Sequence, residues 1–165
     1  MDSDFNQRTI TLKNKRSAGL LVFRRRSKHL EVFLAHMGGP LWQKKDDGAW
    51  GIPKGEFGDD EKPFAAALRE FEEETGIKPT GDFRELSPVK QPGGKMVYAW
   101  AVEYDCDASN IKSNTFTMEW PPRSGHSRAF PEMDRAAWFA VGEARKKILQ
   151  GQLPLLDQLA AAVAG

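Results

Sequence analysis

Apolar residues fall along this chain in short blocks separated by charged or Gly/Pro-rich connectors, and the blocks carry two different periods. Residues 17–23 (SAGLLVF) and 30–35 (LEVFLA) are continuous apolar runs rich in strand formers. The basic stretch Arg24-Arg25-Arg26-Ser27-Lys28-His29 joins them, which predicts a β-hairpin with a charged turn. Residues 83–89 and 96–104 (MVYAWAVEY) predict a second hairpin, whose turn carries Lys90, Pro92, Gly93, Gly94 and Lys95. Further strands are expected at 113–120 (SNTFTMEW), ahead of Pro121-Pro122, and at 135–141 (RAAWFAV). Between them lies a polar loop that holds Arg123, His126, Arg128 and Glu132. Residues 1–16 read as a polar lead-in with room for a short strand at 9–12.

The helical period is clearest at 63–75 (PFAAALREFEEET), which has no internal glycine and is rich in Ala, Leu and Glu. Asp59 and Asp60 offer N-cap oxygens, Pro63 suits the first turn, and Gly76 stands where a helix stops. Phe64, Ala67, Leu68, Phe71 and Thr75 form its core-facing stripe. Two more helices are expected at 142–150 and 154–164, separated by Gly151 and made amphipathic by Ile148, Leu149, Leu155, Leu156 and Leu159. Strands, helix, strands, helix is the order of an α+β or mixed-sheet layered domain.

Composition narrows the function classes. A chain of 165 residues with 40% hydrophobic and 28% charged residues is expected to fold as one globular domain, here 17–165 after the lead-in. A net charge of +1 argues against a dedicated surface for duplex nucleic acid. The single cysteine, Cys106, excludes an intrachain disulfide and a multi-cysteine metal site, and reads as an inert thiol. No stretch has the length of a signal-peptide core or the roughly 18 apolar residues of a membrane span, which fits a cytoplasmic enzyme without a membrane partner.

Candidate chemistry concentrates in the 63–75 helix. Glu70, Glu73 and Glu74 stand at i, i+3 and i+4, so their carboxylates are expected to converge on one exposed face, near the negative end of the helix dipole. Such crowding calls for a compensating cation. A hard divalent ion, Mg2+ or Mn2+, takes oxygen ligands, and Arg69 can pair with Glu73 or reach Glu61. A solvated acidic face is the alternative, but it leaves the preceding loop Trp50-Gly51-Ile52-Pro53-Lys54-Gly55 unexplained. There, glycine permits close approach to a ligand and Lys54 beside carboxylates suits a bound phosphate.

Residues 55–77 resemble the signature of the Nudix hydrolases, G-x5-E-x7-R-E-U-x-E-E-x-G-U, in which U is a bulky aliphatic or aromatic residue. Gly55, Glu61, Arg69, Glu70, Phe71, Glu73, Glu74, Gly76 and Ile77 fill every specified place, with Phe71 aromatic where an aliphatic is commoner. The resemblance implies an α/β/α sandwich with a mixed central sheet and a metal-dependent pyrophosphohydrolase acting on a small phosphorylated nucleotide. It implies that Glu70, Glu73 and Glu74, with the Gly55 carbonyl, hold the metal, while Glu61 and Arg69 orient them and Lys54 meets substrate phosphate. For the general base Glu73 is the first choice, Glu132 the best candidate outside the signature, and Glu119 a third that also reads as a surface carboxylate.

The Pro53-Lys54-Gly55 approach is similar to that of diadenosine polyphosphate hydrolases and some triphosphate-cleaving members. Pro92, fifteen positions after Ile77, is instead similar to ADP-ribose-cleaving members, and Tyr98 does not fall at the spacing of a tyrosine found in some diadenosine polyphosphate enzymes. A nucleotide-binding module without catalysis is a further alternative, although such modules usually lack signature glutamates. In the loop of residues 38–50, Trp42 or Trp50 can stack on a base or serve as a packing anchor, and Arg24 to Arg26 can meet phosphate or lie in solvent.

Overall fold

The computed structural model describes residues 15–163, so the strand expected at 9–12 lies outside the described residues. Two long strands, β1 (Arg16–Arg26) and β2 (His29–Met37), open the chain, followed by the short β3 (Trp50–Gly51) and β4 (Lys54–Glu56). Helix α1 (Pro63–Thr75) precedes β5 (Arg84–Glu85), β6 (Val89–Lys90) and β7 (Met96–Glu103). Then come β8 (Thr115–Glu119), β9 (Ser127–Pro131) and β10 (Met133–Ala140). Helix α2 (Val141–Lys147), a 3-10 turn (Gln150–Gln152) and helix α3 (Leu153–Val163) end the described chain.

The main sheet runs β10-β2-β1-β7-β5, with β3, β4 and β6 paired alongside β2, β1 and β7. Among the paired strands of the described residues, β1 and β7 run parallel and the others antiparallel, which makes the sheet mixed. The continuous apolar run of β1 follows from burial on both faces. Leu21 and Phe23 enter one core with Ala144, Ile148, Leu155, Leu156 and Leu159 of the C-terminal helices and the segment joining them. Ala18, Leu20 and Val22 enter a second with Ala66, Ala67 and Phe71 of α1. Helices therefore cover both faces, the expected α/β/α sandwich of the α+β class, and α1 is clamped between sheet and solvent.

Four local expectations are corrected. Arg24 to Arg26 belong to β1, and the turn is only Ser27-Lys28, both at positive φ (50° and 70°). Cross-strand ion pairs let the strand run on: Arg24 reaches Glu31 at 2.8 Å and Asp105 at 2.9 Å, and Arg26 reaches Asp105 at 2.7 Å. The segment 83–89 splits into β5 and β6 because Ser87 turns to Gln158, donating its N–H to Oε1 at 2.6 Å, and Pro88 has no N–H to give the ladder. The supposed polar loop contains β9, antiparallel to β8. Its exposed strand has one apolar anchor, Phe130, whose ring lies 6.0 Å from that of Phe116. Helix α1 is capped by Lys62 without a side-chain bond, while Asp59 pairs instead with Arg16 at 2.6 Å. Among the described residues, no helix is long and apolar enough to cross a membrane.

Candidate active site

Helix α1 presents positions 66, 67, 70, 71, 74 and 75 on one buried side. The expected exposed carboxylate face is thereby corrected: Glu74 is 0% exposed and Glu70 7%, and Glu73 alone of the three faces solvent. Ala66, absent from the expected stripe, is buried with Ala67, so the buried side includes the positions one turn on at Glu70 and two turns on at Glu74. Glu70 then lies against β4, where a Cβ on Gly55 would come within 2.0 Å of its Oε2. Glycine is required there for the carboxylate to reach its place.

The brace expected from Arg69 is present. Its Nε and Nη2 donate to the two oxygens of Glu61, both at 2.7 Å, and Nη1 donates to Glu70 at 2.9 Å and Glu73 at 3.1 Å. This pairing holds the Glu61 carboxyl below its ordinary range, because the guanidinium favours the charged form. Glu70 is pushed up by burial, an effect that Arg69 opposes and that Glu73 and Glu132 reinforce.

Glu74 accepts hydrogen bonds from Ser113 Oγ at 3.2 Å and Asn114 Nδ2 at 3.1 Å. Burial raises its pKa to about 7, and so does the nearby carboxyl of Glu132. Such a pair of carboxyls needs a shared proton or a bridging cation. The backbone of Glu132 is fixed on both sides, donating to Asn114 O at 2.8 Å and accepting from Gly38 N at 2.9 Å. Ser113 and Asn114 were not legible as partners of Glu74, since they lie about forty residues along the chain and carry no motif.

Of these groups, Glu70, Asn114 and Glu132 line a cleft of about 670 Å³. Its lining includes the polar Lys54, Glu70, Lys95, Asn114 and Glu132 with Gly55, and the apolar Leu41, Trp42, Phe116 and Met118. Lys54 is held down at about 8 by burial and by the charge of Lys95, against the pull of Glu56, Glu132 and Glu70. Lys95 Nζ lies 3.1 Å from Glu56. Of the two tryptophans, Trp42 lines the cleft, whereas Trp50 is 4% exposed and anchors the loop through Nε1 to Asp46 at 2.9 Å. Glu119 accepts from the Arg123 N–H at 2.7 Å and lies outside the cleft lining, as do Glu73 and Pro92. Cys106 is half-exposed, and burial pushes its thiol up to about 11.

The carboxylates suit a hard cation by their chemistry. Glu70 and Glu74 are buried oxygen donors whose charges, with that of Glu132, crowd one wall beyond what Arg69 balances. Among the described residues, no three acidic, His or Cys side chains are already grouped to hold a metal. Arg69 spans Glu70 and Glu73, and Glu74 faces Asn114, so the set is drawn apart by its own partners.

Comparison with known proteins bears on family and fold. The model of the NUDIX domain family matches residues 13–159. The fold is similar to an Ap4A hydrolase from C. elegans in a binary complex, with TM-score 0.61, 21% identity and coverage of 92% of this chain and 98% of that one. It is similar to the NUDIX domain of Shewanella oneidensis NrtR complexed with ADP ribose, with TM-score 0.64, 18% identity and coverage of 91% and 88%. A MutT structure from a study of Aliivibrio salmonicida and Vibrio cholerae gives TM-score 0.54, 18% identity and coverage of 90% and 98%. No curated protein sequence matches the chain. A family match over most of its length, on the fold that family adopts, places the chain in the NUDIX domain family.

Proposed function

We propose that this protein hydrolyses a phosphoric anhydride link in a small nucleotide, a dinucleoside polyphosphate or a nucleoside triphosphate. The observation that carries this reading is one cleft lined by the carboxylates Glu70 and Glu132, the lysines Lys54 and Lys95, and the apolar Leu41, Trp42, Phe116 and Met118. Carboxylates in that setting handle a cation and water, lysines offset polyphosphate charge, and apolar side chains receive a nucleoside.

Glu70, Glu73, Glu74 and the Gly55 carbonyl are the residues that would hold Mg2+ or Mn2+. When bound, such an ion supplies charge neutralisation on the phosphate oxygens and lowers the pKa of the attacking water. Glu61 and Arg69 orient the ligating glutamates through the fork described above. Lys54, with a pKa of about 8, is mostly protonated at neutral pH and offsets phosphate charge. Water attacks phosphorus and gives its proton to a carboxylate as the bridging P–O bond breaks. Glu132 is the better placed base, since it lines the cleft; Glu73 is exposed and held by Arg69.

Longer phosphate chains are favoured by the Pro53-Lys54-Gly55 approach and by two lysines in the cleft, and the likeness to an Ap4A hydrolase supports the dinucleoside polyphosphate reading. An ADP-ribose-type pyrophosphatase is the second reading, supported by Pro92 and by the NrtR domain that binds ADP ribose; a silent nucleotide-binding module is the third. The base assignment is tested with Glu132→Gln and Glu73→Gln at saturating Mg2+. The expected result is a loss of about 100-fold in kcat for Glu132→Gln, in the range of a lost general base. Glu73→Gln is expected to raise the Mg2+ needed for half-maximal rate. A wild-type rate in Glu132→Gln with a collapse in Glu73→Gln moves the base to Glu73.

A further inference from the structure

Gln152 is fully buried, yet half of its side-chain amide has no partner. It lies on the 3-10 turn between α2 and α3 and lines the cleft. Its Oε1 accepts the Ile52 N–H at 2.9 Å. A backbone N–H can only donate, so the oxygen must be the atom at that place and Nε2 must be the unpaired one. Gly51 keeps the amide there: a Cβ on it would approach Oε1 and Nε2 to 3.0 and 3.1 Å. Two N–H donors are thus held in a fixed direction and left unpaired, an arrangement that folded proteins keep only for a reason. Ser17 Oγ is a second unpaired group, also fully buried, lining the same cleft beside Glu56 in the β1–β4 register.

Resting on the hydrolase reading, we propose that Gln152 is a specificity-determining residue whose amide donates to an acceptor atom on the nucleobase of the substrate. Gly51, next to Gln152, stands four residues before Gly55 at the carboxylates, at most roughly 14 Å of extended chain. A nucleoside phosphate bridges that interval, with its phosphates at Lys54 and its base at Gln152. Trp42 and Phe116 line the same cleft, so aromatic surface is available to it for a planar ring. A ring nitrogen or keto oxygen satisfies Gln152, whereas an exocyclic amino group at that point leaves donors facing donors. A site built to hydrogen-bond its substrate discriminates strongly against analogues without the matching atom.

The test compares wild type, Gln152→Glu and Gln152→Met on adenine, cytosine, guanine and uracil nucleotides with Mg2+, reading kcat, KM and calorimetric Kd. Gln152→Glu keeps the acceptor for Ile52 and removes the donors. Gln152→Met removes both. Both are expected to lose at least tenfold in kcat/KM for the preferred base through KM, with kcat within threefold, and to flatten the ranking of bases. Wild type is also assayed with analogues of the preferred base in which single acceptors are replaced by C–H or hydrogen, and one of these is expected to lose at least tenfold. That arm decides the matter alone if neither variant folds. An unchanged ranking in the variants, or equal efficiency for all analogues, overturns the proposal. Binding without turnover defeats only the hydrolase reading, and the Kd ranking then decides for Gln152; no binding of any nucleotide defeats both.

Discussion

Gly55→Ala tests whether Glu70 has to lie where β4 admits it. The added Cβ would sit 2.0 Å from Oε2 and 2.1 Å from Cδ of Glu70, so the carboxylate must retreat by about 1.4 Å to reach ordinary contact at 3.4 Å. Helix α1 cannot retreat with it, because Ala66, Ala67 and Phe71 on the same side are 0% exposed. The movement therefore falls on the Glu70 side chain and breaks its 2.9 Å bond from Arg69. A hydrogen bond between charged groups is worth about 1.5–3 kcal/mol. Arg69 is 39% exposed, so solvent screening discounts this to about 1 kcal/mol. In a domain of this size that is a fall in Tm of roughly 2–4 °C. Misplacing a reacting group by about 1 Å lowers turnover on the order of 100-fold. The expected outcome is a large loss of Mg2+-dependent kcat/KM with a small loss of Tm, read by phosphate release and thermal melting. Turnover within threefold of wild type, in a variant of normal Tm, refutes the position given to Glu70.

Two other perturbations follow from the same geometry. Arg69→Lys keeps the charge but lacks the planar fork that holds both oxygens of Glu61, so the Mg2+ needed for half-maximal rate is expected to rise about 10- to 100-fold. An unchanged Mg2+ titration contradicts the bracing role. Cys106, pushed up to about 11 by burial and by Asp105, is a neutral thiol at pH 7. Only the thiolate reacts, so alkylation by iodoacetamide is expected to rise about tenfold per pH unit from pH 7 to 10 without touching activity at pH 7.5. A plateau already at pH 8.5, seen by mass spectrometry, contradicts that environment.

The layers were legible because burial on both faces writes itself into β1 as an unbroken apolar run, and the 3.6-residue period of α1 ends cleanly at Gly76. The Arg69–Glu61 fork was legible from spacing, because both partners lie on or beside one helix. Burial of Glu74 was not legible: local repulsion predicts exposure, whereas Ser113, Asn114 and Glu132 arrive from another part of the chain. Strand β9 escaped because an exposed hairpin with one apolar anchor has almost no hydrophobic alternation. Arg24 and Arg26 looked like a turn because the carboxylates that pair with them, Glu31 and Asp105, come from another strand and from beyond β7. Gln152 gave no signal at all, since its partner Ile52 lies a hundred residues away.

The central claim is tested most directly by phosphate release from diadenosine tetraphosphate, ADP-ribose and nucleoside triphosphates, each with saturating Mg2+ and with the metal chelated. Metal-dependent turnover is expected, strongest for the longer phosphate chains and abolished by chelation. Binding of these nucleotides without turnover at saturating Mg2+ or Mn2+, or turnover undiminished by chelation, contradicts it.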